Sequence, residues 1–224
     1  MLTAVAFAVL GSYFVGAVPF GFLAGRLCGV DVRTKGSGNI GATNVFRVIG
    51  KPAGITVFIL DFLKGYLPVT VGKHLLEGGT LPEWIPVVLA LATILGHNYT
   101  FWLGFKGGKG IATSAGALVA LVPFAVGIAV IVWLLLVFTT RYVAIASLGS
   151  ALAIPVVVIV GGIRGGTTDV PLFVFSILVA ILAFLRHRTN IVRLIAGTEH
   201  RFGRRGKSNE SSRVDALPGK EKDC

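Results

Sequence analysis

Three short stretches of this chain concentrate the residue types that bind anions and move protons. The first is Gly36-Ser37-Gly38-Asn39-Ile40-Gly41-Ala42-Thr43-Asn44, closed by Arg47. Glycines at alternate positions let backbone N–H groups turn inward around an anion, because no Cβ blocks the approach. Asn39, Asn44 and Thr43 offer further hydrogen bonds, and Arg47 offers a two-pronged fork for phosphate. The same composition also describes an ordinary flexible loop.

The second stretch is Gly96-His97 followed by Phe105-Lys106-Gly107-Gly108-Lys109-Gly110-Ile111-Ala112-Thr113. Its Gly-Gly-Lys-Gly core is similar to phosphate-cradling loops, but the spacing is wrong for a Walker A sequence and no Ser or Thr follows the Lys. What remains is a flexible backbone and two ammonium groups, Lys106 and Lys109, ahead of a helix whose N-terminus favours an anion. A basic loop anchoring two spans would have the same composition. The third stretch is His187-Arg188-Thr189-Asn190, continuing through Ile191, Arg193, Leu194, Gly197, Glu199 and Arg201. His187 and Asn190 are three apart and share a face on a helix. Histidine suits general-base work, whereas Glu199 between basic residues reads as structural. Composition alone favours an interfacial amphipathic helix here.

The elements carrying these stretches belong in a membrane. Of 224 residues, 54% are hydrophobic and 14% charged, with a mean hydropathy of +0.83. That much apolar surface needs lipid to cover part of it. Apolar runs cover 3–24, 53–72, 84–102, 111–139, 142–162 and 170–186, each near or above the length needed to cross a hydrocarbon core of about 30 Å. No basic residue precedes the first run, so 3–24 is expected to be a span rather than a cleaved leader. The fourth run would reach about 43 Å as one helix, and Pro123 near its middle predicts a kink or two segments meeting near Val122.

Charge placement orients the spans. Arg26, Arg33, Lys35, Arg47 and Lys51 face only Asp31 in the 26–52 loop, which marks it as cytoplasmic and the N-terminus as outside. The Lys106 and Lys109 loop returns inside, as does the basic stretch from Arg186 to Lys207. An outside start and an inside end require an odd count, so the fourth run is read as two and the total as seven. The expected architecture is all-α: a polytopic membrane bundle over 1–203 and a disordered polar cytoplasmic tail over 204–224.

Lys and Arg number 21 against 10 acids. Because they sit between and after apolar runs, positive-inside bias explains them and nucleic acid is not an expected partner. Cys28 and Cys224 form no metal or redox spacing. Ala17, Gly21, Gly25 and Gly29 recur every four residues as a face for close helix packing. Asp61 and Lys64, three apart within the second span, are read as a neutralising pair more than as a catalytic one.

The three stretches together resemble the signature motifs of the bacterial acyl-phosphate:glycerol-3-phosphate acyltransferase family. Gly36 to Arg47 is similar to GSGNIGATNxxR, Gly96 to Thr113 to GHxxxxFxxFKGGKGxAT, and His187 to Glu199 to HRxNIxRLxxGxE. Asp61-Phe62-Leu63-Lys64-Gly65 and Pro19-Phe20-Gly21 also look like the family, and the resemblance extends in order and spacing from residue 1 to about 203. It implies a seven-span enzyme of the bacterial plasma membrane with its site facing the cytoplasm. The implied reaction moves a fatty acyl group from acyl-phosphate to the sn-1 hydroxyl of glycerol 3-phosphate, giving 1-acylglycerol 3-phosphate and phosphate. No cofactor or metal is implied, because the mixed anhydride is already activated.

By position, the resemblance implies that Ser37, Asn39, Asn44 and Arg47 serve substrate phosphate, and that Lys106, Lys109, Gly107, Gly108 and Gly110, with His97, hold the acyl-phosphate group. His187 and Asn190 would orient the glycerol end. The proton goes either to His187 or to a substrate phosphate oxygen. The rival class is a transporter or flippase of a phosphorylated lipid or metabolite. Such proteins place their sites near the midplane within repeated halves, and no repeat is evident here. A non-catalytic membrane scaffold would have no need of three polar islands.

Overall fold

The computed structural model describes residues 2–77 and 82–203, which form ten α-helices and, among them, no strand. The polar tail expected at 204–224 lies outside the described residues. In chain order the helices are α1 (Leu2–Ala17), α2 (Phe20–Leu27), α3 (Ala42–Val48), α4 (Lys51–Glu77), α5 (Ile85–Asn98), α6 (Ile111–Leu121), α7 (Pro123–Thr140), α8 (Val143–Gly165), α9 (Val170–Arg186) and α10 (Arg188–Ile195).

Five stretches are long and apolar enough to cross a membrane: Thr3–Leu27, Lys51–His74, Ile85–Leu103, Pro123–Thr140 and Val143–Gly165. A sixth forms if α9 is taken with α10, which bends away from it by 56°. Large apolar side chains such as Phe7, Phe124, Phe138 and Ile163 remain exposed on the outside of the bundle, the expected pattern where lipid is the solvent. Inside, Val69, Ala90, Ile94, Ala117, Leu118, Ala125, Phe175 and Val179 join α4 through α9 in one buried cluster.

Two proline breaks interrupt the spans. The fourth apolar run divides at Val122, with Pro123 opening α7 where its fixed φ and missing N–H do no harm. The first apolar run breaks at Val18-Pro19 and resumes as α2, reaching Leu27 rather than ending at 24. The exposed carbonyl of Val18 accepts a hydrogen bond from Lys64 Nζ at 2.8 Å, and the same ammonium sits 2.7 Å from Asp61 Oδ1. The buried pair therefore has a structural task, which is to satisfy a backbone oxygen that a broken helix leaves without a partner.

Glycines allow the close helix contacts. A Cβ on Gly16 would lie 2.1 Å from Thr93 O, and one on Gly96 2.2 Å from Tyr13 O, so α1 and α5 run antiparallel in contact. A Cβ on Gly65 would lie 2.0 Å from Thr113 O, while Lys73 Nζ donates to Ala120 O, so α4 and α6 run parallel. Gly21 and Gly25 are packing glycines as expected, against Ile40 and Val30. Gly29 is not: it has open space around it and a φ of 69°, so it serves a turn.

Candidate active site

The first polar stretch is organised by one of its own side chains. Asn44, buried at the start of α3, brings its amide nitrogen to the carbonyls of Val32, Lys35 and Asn39 at 2.8–3.1 Å. Its Oδ1 accepts the Ser37 N–H at 2.8 Å. Gly41 N–H donates to Asn39 Oδ1 and Gly38 N–H to Lys35 O. This corrects the expectation of an open anion nest: three of the N–H groups turn into the loop and not toward a ligand. Gly36 is required twice over, by a φ of 61° and because a Cβ would meet Asn44 Oδ1 at 2.3 Å. The loop then presents the Ser37 and Asn39 side chains outward.

The second stretch is held by other elements. Gly107 N–H donates to Asn98 O and Gly108 N–H to His97 O, both at 3.1 Å, so these glycines also keep their N–H groups from an anion. Their carbonyls point the other way, to Arg186 of α9: Nη2 donates to Gly107 O at 2.8 Å and Nε to Gly108 O at 3.0 Å. A Cβ would lie 2.0 Å from His97 O at position 107 and 2.1 Å from His97 Nε2 at position 108. His97 itself is buried beneath the loop, its Nδ1 3.6 Å from Asp61. Gly110 adopts a φ of 81° where α6 begins, and Lys106 is exposed.

Lys109 reaches across to the third stretch, where its Nζ donates to Asn190 Oδ1 at 2.5 Å. Burial pushes this lysine down to about 8, with Arg193, Arg47 and Arg186 adding repulsion against the pull of Glu199. Asn190 Nδ2 donates to Glu199 Oε1 at 2.8 Å, and Arg193 Nε to Glu199 Oε2 at 2.7 Å. Glu199 thus orients two neighbours, in keeping with its structural reading. His187 sits at the bend between α9 and α10, buried, with Nδ1 donating to Ala183 O at 2.8 Å. That bond leaves Nε2 as the nitrogen available to accept a proton.

The segment after α10 folds back over this end. Phe202 N–H donates to Arg141 O at 2.7 Å, Arg201 Nε donates to the Tyr142 hydroxyl at 2.9 Å, and the Phe202 ring lies 6.4 Å from that of Phe46. The Arg141 turn, α3 and α10 therefore share one end of the bundle.

All three stretches meet in a cleft of about 480 Å³. Ser37, Gly38 and Asn39 come from the first, Lys109 from the second, and Arg188, Thr189 and Arg193 from the third. Four cationic side chains line it and, among the described residues, no carboxylate does. Asn44, Arg47, His97, Lys106, His187 and Asn190 are not on its wall. Asn190 supports Lys109 from behind, and Arg47 is close enough to feel the charges of Glu199 and Arg193. Tyr99 and Arg186 line the cleft without having been singled out from sequence. Arg186 ends an apolar run, where positive-inside bias already accounted for it.

An apolar groove of about 450 Å³ opens beside the cleft between α8 and α9, walled by Leu152, Pro155, Ile177, Ala180, Ile181 and Phe184. Leu185 and Arg188 belong to both spaces.

Residues 6–197 match the family model described as glycerol-3-phosphate acyltransferase. A glycerol-3-phosphate acyltransferase of Geotalea daltonii is 42% identical over 196 residues, which cover 88% of this chain and 96% of the relative. One from Aquifex aeolicus is 39% identical, covering 88% and 98%. A crystal structure of PlsY, an integral membrane glycerol 3-phosphate acyltransferase, in its glycerol 3-phosphate form superposes with a TM-score of 0.82 at 39% identity, covering 89% of this chain and 96% of that one. Its lysophosphatidic acid form gives a TM-score of 0.79 at 38% identity.

Proposed function

The chain belongs to the glycerol-3-phosphate acyltransferase family, and from that premise we propose how its cleft transfers an acyl group. It is a multi-pass membrane enzyme that acylates glycerol 3-phosphate. The donor in our reading is a fatty acyl-phosphate and the acceptor atom is the sn-1 hydroxyl. The observation that carries this reading is the convergence of Ser37, Asn39, Lys109, Arg188, Thr189 and Arg193 on one opening, from stretches over a hundred residues apart.

Both substrates bear phosphate, and a cleft with four cations and no acid suits two anions together. Lys109, Arg188 and Arg193 hold phosphate oxygens, while Ser37, Asn39 and Thr189 hydrogen-bond to the glycerol phosphate. The bound hydroxyl oxygen attacks the acyl carbon and forms the ester bond. The bond from that carbon to the bridging phosphate oxygen breaks, and its electron pair leaves with inorganic phosphate. Lys109 offsets the negative charge that grows on those oxygens. The hydroxyl proton goes either to His187 Nε2 or to a phosphate oxygen of the donor. Turnover of His187→Ala decides between them: near-normal rates assign the proton to the donor phosphate, and a drop of about 10²-fold or more assigns it to His187.

The acyl chain lies in the α8–α9 groove, which joins the cleft at Leu185 and Arg188 and opens toward lipid. Ala180→Phe fills that groove. It is expected to raise KM for palmitoyl-phosphate about tenfold while leaving acetyl-phosphate unaffected; equal effects on both donors would remove the groove from the reading.

Seven crossings are supported by the parallel course of α4 and α6 and by the break at Val122. These make the short α6, about 16 Å long, an outward leg beginning below the surface. The N-terminus is then outside, and the cleft faces the cytoplasm of a bacterial plasma membrane. An impermeant thiol reagent applied from the cytoplasmic side should label both Ser37→Cys and Thr189→Cys; labelling from opposite sides would end this arrangement. The activity is tested with purified protein, palmitoyl-phosphate and glycerol 3-phosphate. Phosphate and 1-acylglycerol 3-phosphate should appear together and only when both substrates are present. Transport without turnover would favour a carrier, a reading that the one-sided clustering of polar residues already opposes.

A further inference from the structure

Arg186 stands outside the third polar stretch, yet it makes the contacts that join that stretch to the second. Its guanidinium donates through Nη2 to Gly107 O and through Nε to Gly108 O, at 2.8 and 3.0 Å, and lies 5.2 Å from the centre of the Tyr99 ring. The two glycines are tied on their other side by N–H bonds to Asn98 O and His97 O. The loop therefore hangs between the end of α5 and the end of α9, and the α9 attachment is this one side chain. One residue beyond the clasped pair is Lys109, whose ammonium meets Asn190. One residue beyond Arg186 is His187, where α10 begins.

We propose that Arg186 is a positioning residue for acyl transfer, clasping the Gly107 and Gly108 carbonyls so that Lys109 is held at the cleft against Asn190. This rests on the acyltransferase reading above and goes beyond it by separating the loop's charge from the loop's placement. The chemistry explains the choice of arginine. A planar guanidinium presents parallel donors that can bridge two adjacent carbonyls while its face stacks on an aromatic ring. A lysine keeps the positive charge but has one point donor, so it cannot reproduce the bridge.

Arg186→Lys tests this in two backgrounds. In the otherwise native enzyme it should lower kcat/KM for palmitoyl-phosphate by about tenfold to a hundredfold, in line with losing bonds from a charged donor. In a Lys109→Met background the same change should have little further effect, because a residue acting through Lys109 has nothing left to position. Arg186→Lys with near-native activity would overturn the proposal and make Arg186 a source of charge alone. An equal loss in both backgrounds would also overturn it, since Arg186 would then act directly. Hydrogen exchange supplies a readout that does not need turnover. The Gly107 and Gly108 amides of full-length protein in detergent should exchange about tenfold faster in Arg186→Lys, with the α7 and α8 amides unchanged. Unchanged exchange at Gly107 and Gly108 would refute the clasp even if the enzyme proved to use another donor.

Discussion

The two glycine-rich loops of the cleft look alike as strings of letters and are built in opposite ways. The loop at 36–44 is closed by Asn44, whose partners lie 5 to 12 residues away in sequence. The loop at 104–110 borrows its restraints: α5 carbonyls take its N–H groups, and Arg186, 78 and 79 residues away, takes its carbonyls. The first is a local module that travels with its own sequence. The second exists only where α5 and α9 have already packed. Glycine is needed in both for close approach, to Asn44 in one and to His97 in the other.

The contrast has measurable consequences. Its strongest test is Lys109→Met, which removes charge from the borrowed loop and leaves its backbone ties intact. It should lower kcat/KM by roughly 10²–10³, with thermal unfolding close to native; a large fall in Tm would mean that Lys109 holds the fold and not the substrate.

Asn44→Ala should do the reverse. Removing a buried hub strands the Ser37 N–H and three carbonyls, destabilising the protein by about 2–3 kcal/mol, and activity should fall because Ser37 and Asn39 lose their placement. If Tm is unchanged while activity disappears, Asn44 touches substrate and the loop is not self-organised as described.

The mildest test is pH. Lys109 has its ordinary value lowered to about 8, so it is charged below that pH and neutral above it. Since kcat/KM reports the free enzyme, it should decline about tenfold per unit above pH 8. The decline in kcat should begin at higher pH, because bound phosphate favours the ammonium. Lys109→Arg should abolish the alkaline limb, as guanidinium does not titrate there. A limb that persists in that variant would belong to another group.

How much of this could be read in advance follows the same division. The helical membrane architecture, the break at Val122, and the Asp61–Lys64 pair were legible because they depend on composition, on proline geometry and on i, i+3 spacing. So was the grouping of three polar stretches, and with it the family. The direction of the backbone N–H groups was not: alternating glycines permit an anion nest, but Asn44 and the α5 carbonyls offered those hydrogens nearer partners. Arg186 was hidden because an arginine at the end of a span has an ordinary explanation in membrane topology.

The chain by itself determined what solvent surrounds it, where it must cross, and which residues carry chemistry, since each of those follows from neighbours along the backbone. Only tertiary packing decided that Lys109 meets Asn190, that Glu199 holds Asn190 and Arg193, and that an apolar groove joins the cleft at Arg188. Those contacts join residues brought together by helix crossings, and the close approach of backbones at Gly16, Gly65 and Gly96 sets the crossings. Hydropathy sets how deep a helix sits in lipid, but it carries no record of which neighbour that helix will touch.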